Sequence, residues 1–215
     1  MNELTLYIGN KNYSSWSLRP FLVLRKAGLP FSETLIQLDV AGFKDKLLTL
    51  SEAGTVPVLR VGEEIIPDSL EISNWAALCV PNLWPKDAQD KRQALEMCQR
   101  MQSDFEALRT HAPMNLRRRT NTDLPQSCLE DAQKMTEMWE TCLARHDGPF
   151  LFDDWCIADA FSTPYATRFV SYDIPRSAKV DTYISELMAD EDFLDWEAEA
   201  LIEPWELPDT DKVGL

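Results

Sequence analysis

Apolar and polar positions change their period several times along the first third of this chain. Leu4-Thr5-Leu6-Tyr7-Ile8 is a short β-type run that Gly9-Asn10 ends as a turn. From Leu18 the period becomes helical, with Leu18, Phe21, Leu22 and Leu24 recurring until Gly28-Leu29-Pro30 stops the helix. Phe31 to Leu38 alternates as a second strand centred on Leu35 and Ile36, and Phe43, Leu47, Leu48 and Leu50 suggest a short helix. Gly54-Thr55-Val56-Pro57 then turns into a strand at Val58-Leu59-Arg60-Val61. Gly62-Glu63 folds that strand back into Glu64-Ile65-Ile66, a hairpin. Pro67-Asp68-Ser69 opens a helix from Leu70 to Val80, with Asp68 or Ser69 as its cap. The predicted order is β-α-β-α-β-β-α by residue 80.

Beyond Pro81-Asn82-Leu83-Trp84-Pro85, a seam with two prolines, the pattern is helical throughout. Ala94, Leu95, Cys98, Met101, Gln102, Phe105 and Leu108 mark one face of a long helix from about Asp87 to His111. Leu129, Ala132, Met135, Trp139, Cys142 and Leu143 mark another. Ile157 to Phe169 is a third, with Ala160, Phe161, Tyr165 and Phe169 inward, and Tyr183–Met188 and Phe193–Ile202 are shorter ones. No internal repeat and no low-complexity tract interrupts them. Two units are expected: a small α/β unit over residues 1–81 and an all-helical unit over 82–215.

Composition narrows the partners. The 215 residues are 45% apolar, enough for one large domain or two small ones. A net charge of −15 excludes a general attraction to DNA, RNA or anionic lipid. The first residues form no basic leader, and Leu4–Ile8 is too short for a membrane span, so a cytoplasmic protein is expected. Five cysteines without a CxxC spacing read as reduced, mostly buried thiols, and with two histidines no metal site is expected.

Three stretches of the first unit carry candidate chemistry. Ser14, Ser15 and Ser17 cluster where a helix begins, a place whose free backbone N–H groups seat an anion. A simple helix cap is the alternative for Ser14 or Ser15. Val56-Pro57 precedes a strand. A cis bond there would leave the Val56 backbone groups free to bind a peptide-like ligand as an added strand, whereas a trans proline would simply start the strand. Asp68-Ser69 offers a second helix start suited to a small carboxylate, or again a cap.

Taken together, residues 4–80 resemble the thioredoxin-like domain of the cytosolic glutathione transferases, and the helical remainder resembles that family's second domain. Ser14-Ser15-Trp16-Ser17-Leu18-Arg19 is similar to the serine motif of the zeta class and its bacterial relatives. Gly54-Thr55-Val56-Pro57-Val58-Leu59 is similar to the family's cis-proline segment, and Asp68-Ser69 to its acidic-Ser pair. The resemblance implies that Ser14, or Ser15 beside it, donates a hydrogen bond to the glutathione sulfur. It also implies that Val56 and Pro57 receive the cysteinyl backbone and that Asp68 and Ser69 hold the γ-glutamyl end. Lys44 or Lys46 is a candidate for the glycine carboxylate. It further implies glutathione as cosubstrate without a metal, a homodimer, and attack of the thiolate on a small electrophile. The sequence departs from the family pattern at Thr55, where many relatives have Lys. It departs again at Cys156, where a Ser or Thr usually caps the helix and where Asp159 is left to reach back to the backbone. Trp16 is either a cleft wall or packing. Arg117, Arg118 and Arg119 either meet an acidic second substrate or form a solvated loop. No cysteine stands at the Ser14 position, which argues against thiol-disulfide exchange of the omega kind. The rival readings are a zeta-like cis-trans isomerase of a diacid such as maleylacetoacetate and a non-catalytic binding module.

Overall fold

The computed structural model of the chain describes residues 3–38 and 40–213. Residues 1, 2, 39, 214 and 215, which the two expected units include, lie outside this description. In the first part, β1 (Leu4–Ile8), α1 (Ser15–Lys26), β2 (Ser32–Leu35), α2 (Phe43–Leu48), β3 (Val58–Val61), β4 (Glu64–Pro67) and α3 (Ser69–Cys79) follow in the order expected. They form a four-stranded sheet in the order β2-β1-β3-β4. β1 runs parallel to β2, with Leu6 opposite Glu33, and antiparallel to β3, with Leu6 opposite Leu59. All five residues of β1 are buried, as a central strand covered on both faces requires. Pro67 ends β4 at the edge of the sheet, where a residue without an N–H is tolerated.

Two boundaries differ from the sequence reading. The expected strand from Phe31 to Leu38 is shorter. Ile36 N–H still reaches Ile8 C=O at 2.8 Å, but Leu38 N–H turns to the Asn10 side chain, also at 2.8 Å. Helix α1 begins earlier, at Ser15, and carries Pro20 inside it.

The second part follows a 3₁₀ turn at Pro81–Leu83 and comprises α4 (Ala88–Ser103), α5 (Glu106–His111), α6 (Gln126–Leu143), α7 (Ile157–Ser171), α8 (Ala178–Met188), α9 (Glu191–Ile202) and the short α10 (Pro208–Asp211). The single helix expected from Asp87 to His111 is therefore two. The chain breaks at Asp104, and Phe105 takes a left-handed φ of 60°. An acidic residue of another helix stabilises the break: the Asp131 carboxylate of α6 accepts from Ala107 N–H at 3.0 Å and Leu108 N–H at 3.3 Å. These are the free donors at the start of α5, so the cap comes from 24 residues away in the chain.

α7 is the central element. It is buried along its whole length except at Val170, packing on α1, α4 and α8. Ser162 of α7 is fully partnered: its Oγ donates to Ala158 C=O at 2.8 Å and accepts from Trp139 Nε1 at 3.0 Å. Asp159 closes the start of the helix by accepting from Cys156 N–H at 2.9 Å, as expected, and it also accepts from Leu151 N–H and Tyr183 Oη–H. Burial nevertheless pushes the Asp159 carboxyl up to about 6. One apolar core runs from Leu6, Leu18 and Phe21 to Phe161, Phe169 and Trp196, so the sheet and the helical layer share their interior.

Candidate functional site

The loops at one end of the sheet enclose a cavity of about 550 Å³. Trp16 of α1, Phe43 of α2, Val56 and Pro57 ahead of β3, and Asp68 and Ser69 at the start of α3 line it. The Val56–Pro57 peptide is cis. The β3 ladder begins only at Val58, so the backbone groups of Val56 stay outside the sheet pairing. The structure thus brings together the second and third candidate stretches, which are 11 residues apart between Pro57 and Asp68 in the sequence.

Asp68 has a φ of 85° and a ψ of 134°, a conformation that few side chains adopt. Its Oδ1 accepts from Leu70 N–H at 2.7 Å and Glu71 N–H at 3.2 Å, so Asp68 caps α3. Its Oδ2 accepts from Gln102 Nε2 at 2.9 Å, and the same amide lies 3.3 Å from Ser69 Oγ. Gln102 thereby anchors the acidic-Ser pair to α4. Sequence reasoning placed Gln102 on the inward face of a helix and gave it no role. The available signal was a polar residue in a stripe otherwise made of Cys98, Met101 and Phe105.

Ser14 occupies the N-cap position of α1, yet its side chain does not cap the helix. The hydroxyl instead hydrogen-bonds Ser17 Oγ at 2.7 Å, and Ser17 Oγ accepts from Gly9 N–H at 3.1 Å. A Cβ at Gly9 would lie 2.7 Å from Leu38 Cδ1 and 3.1 Å from Ser14 Cβ, so both side chains would have to shift to admit one. Ser15 Oγ accepts from Arg168 Nη2 of α7 at 3.2 Å. Both serines are buried and are not among the residues that line the cavity, although Trp16 next to them is. Trp16 unites its two expected roles: it walls the cavity while the Arg19 guanidinium lies 4.2 Å from its ring centroid.

The remaining candidates lie elsewhere. Lys44 and Lys46 are exposed on α2, next to Phe43 and Leu47 of the lining. Arg117, Arg118 and Arg119 line a separate, polar cavity of about 500 Å³ with Tyr13 and Asp211. There Arg117 and Arg118 hold residues 203–211. Arg117 donates to Glu203 C=O at 3.0 Å, Trp205 C=O at 2.8 Å and Tyr13 Oη at 2.9 Å, and Arg118 donates to Asp211 C=O. A solvated loop does not describe this arrangement. All five cysteines are free, and only Cys79 is exposed. Among the described residues no group of three or more His, Cys, Asp or Glu is placed to hold a metal ion, and no helix is long and apolar enough to cross a membrane.

Residues 13–78 match the family model described as glutathione S-transferase, N-terminal domain. Comparison with curated proteins finds no match. Among solved structures, a glutathione transferase homologue from Burkholderia with bound glutathione superposes with a TM-score of 0.74 at 22% identity, over 94% of this chain and all of that one. The chain has the glutathione transferase fold. An epsilon-class glutathione S-transferase from the housefly Musca domestica gives a TM-score of 0.75 at 19% identity, over 93% of this chain and 94% of that one. The omega 2S glutathione transferase from Trametes versicolor gives 0.72 at 16% identity, over 98% and 99%. Within the glutathione transferase fold, the cavity lies in the part of the chain that the family model matches.

Proposed function

We propose that the chain is a glutathione transferase of a serine type, in which residues 1–81 bind glutathione and residues 82–215 form the electrophile side of the cleft. The observation that carries this reading is the single cavity shared by Val56, Pro57, Asp68 and Ser69. Glutathione is a peptide with an amino-acid head, and the two halves of the cavity suit those two ends. The backbone groups of Val56, outside the ladder, accept the cysteinyl main chain as an added strand. Asp68 and Ser69 take the γ-glutamyl end, with the carboxylate facing the ammonium and the start of α3 facing the carboxylate. Lys44, exposed on α2, is the candidate for the glycine carboxylate. The sulfur then meets the hydroxyl of Ser14 or Ser15 at the start of α1. A hydroxyl donor and free helix N–H groups favour the thiolate, and a charged hydrogen bond of about 1.5–3 kcal/mol lowers the thiol pKa by one to two units. The thiol proton passes to solvent. The thiolate forms the new C–S bond, and the electron pair leaves with the displaced group. The homodimer and the cytoplasmic setting come with the family resemblance.

A second reading is a glutathione-dependent cis-trans isomerase of a diacid, and the observation favouring it is the polar cavity of Arg117 and Arg118, which opens beside Tyr13, next to Ser14 in the chain. Titration calorimetry with glutathione tests the binding. Turnover of conjugation substrates, against turnover of a cis-dienoic diacid without loss of glutathione, separates the two chemistries. Binding without either activity identifies a non-catalytic module.

A further inference from the structure

α7 carries a buried guanidinium that no carboxylate neutralises. Arg168 is 3% exposed, donates to Pro164 C=O at 2.5 Å and to Ser15 Oγ at 3.2 Å, and leaves its Nε without a partner. Arg19 of α1, fully buried, donates to Met101 C=O at 3.1 Å while its Nε and Nη1 have no partner. Neither forms an ion pair among the described residues. Around them stand Tyr165 of α7, Tyr172 just after that helix and Arg109 of α5, so with the tyrosines neutral the local field is positive. Burial pushes Arg168 down to about 10, which keeps it a cation at neutral pH. Buried charges are ordinarily paired, because desolvation is otherwise uncompensated. An anion held beside Ser15 would compensate this one.

The two serines are not equivalent in this field. The Ser14 hydroxyl and Ser17 Oγ are joined to each other, and Gly9 N–H completes the chain. Ser15 Oγ accepts from a cation, and its O–H has no acceptor among the described residues. A hydroxyl that already accepts from a guanidinium is a stronger donor through its own hydrogen.

We propose that Arg168 is a positioning residue that turns the Ser15 hydroxyl toward the sulfur of bound glutathione, making Ser15 rather than Ser14 the thiolate donor. This rests on the glutathione-binding function proposed above. Arg168 acts through Ser15 and touches no substrate atom. The thiol proton goes to solvent, and neither side chain changes its protonation state.

The test reads the pKa of the bound glutathione thiol from the ultraviolet absorption of its thiolate, in the full-length protein saturated with glutathione. Arg168→Gln and Ser15→Ala are each expected to raise that pKa by about one unit, roughly a tenfold loss of thiolate below it. The double variant should shift it no further than Ser15→Ala alone, since both act on one hydrogen bond. The shift in Ser15→Ala should exceed that in Ser14→Ala. That comparison leaves Arg168 in place and decides the matter alone if Arg168→Gln does not fold. An unchanged pKa in folded Arg168→Gln, additive shifts, or a larger shift in Ser14→Ala would overturn the proposal. So would a wild-type complex without thiolate absorption, although glutathione is bound. Failure of glutathione to bind at all would instead remove the function on which the proposal rests, and both would fall.

Discussion

Replacing Asp68 by Asn separates the two tasks that the structure gives this residue. Oδ1 caps α3 through Leu70 and Glu71 and also accepts from Gln102 Nε2 at 3.2 Å, whereas Oδ2 meets only Gln102. In Asp68→Asn the amide oxygen can keep the cap, and the amide nitrogen takes the place of Oδ2. Gln102 then turns its side-chain amide by half a turn to present its oxygen. Asn has the shape of Asp and meets the same backbone conformation, so the fold should lose less than about 0.5 kcal/mol. What disappears is the negative charge proposed to face the γ-glutamyl ammonium. A hydrogen bond to a charged group contributes about 1.5–3 kcal/mol, so the Kd for glutathione should rise by about 10- to 150-fold. Asp68→Ala removes the cap as well and should lose a further ~1 kcal/mol of stability. Titration calorimetry gives the affinity and urea denaturation gives the stability. An Asp68→Asn protein of unchanged stability that binds glutathione within twofold of wild type would refute the assignment of the ammonium to Asp68.

Three further outcomes concern the scaffold that holds the site. The folded Asp159 carboxyl sits near 6, above its ordinary value of 3.8, so the folded state holds that proton more tightly than the unfolded chain. The corresponding stability is complete below about pH 4 and is lost as pH rises through 6; relative to Asp159→Asn, urea denaturation should show wild type losing on the order of 3 kcal/mol across that window, and a flat difference would contradict it. Asp131→Ala should cost about 1–2 kcal/mol by removing the acceptor for the first N–H groups of α5, with Asp131→Asn recovering most of it in the same assay. Trp139→Ala should cost about 3–5 kcal/mol, whereas Trp139→Phe, which gives up the bond to Ser162, should cost roughly 1–2 kcal/mol in thermal or chemical unfolding.

The sheet part was legible because its signals are local. Turn residues, strand alternation and helix caps each act within a few positions, and Gly9, Gly28, Gly62 and Asp68 mark the corners they predict. The break at Asp104 was not legible, because the group that makes it favourable is Asp131 on another helix. The inward face of α7 was read as Ala160, Phe161, Tyr165 and Phe169, yet nearly the whole circumference is buried. Ser162, Thr163 and Thr167 return their hydroxyls to their own helix, so their polarity conceals their depth. The same applies to the site. Val56, Pro57, Asp68 and Ser69 could be named as candidates from turn and cap chemistry, with their roles implied by the family resemblance, whereas Gln102 and Arg168 make their bonds across the two halves of the chain. Arg117 and Arg118 read as free cations in the sequence because the residues that engage them, Glu203, Trp205 and Asp211, are far along the chain.

The most direct test of the account is a crystal structure of the protein grown with glutathione. The account predicts the γ-glutamyl group on Asp68 and Ser69, the cysteinyl main chain on Val56, and the sulfur within about 3.5 Å of a serine hydroxyl at the start of α1. Glutathione bound away from the Val56–Asp68 cavity, or a cavity left empty at millimolar glutathione, would contradict it.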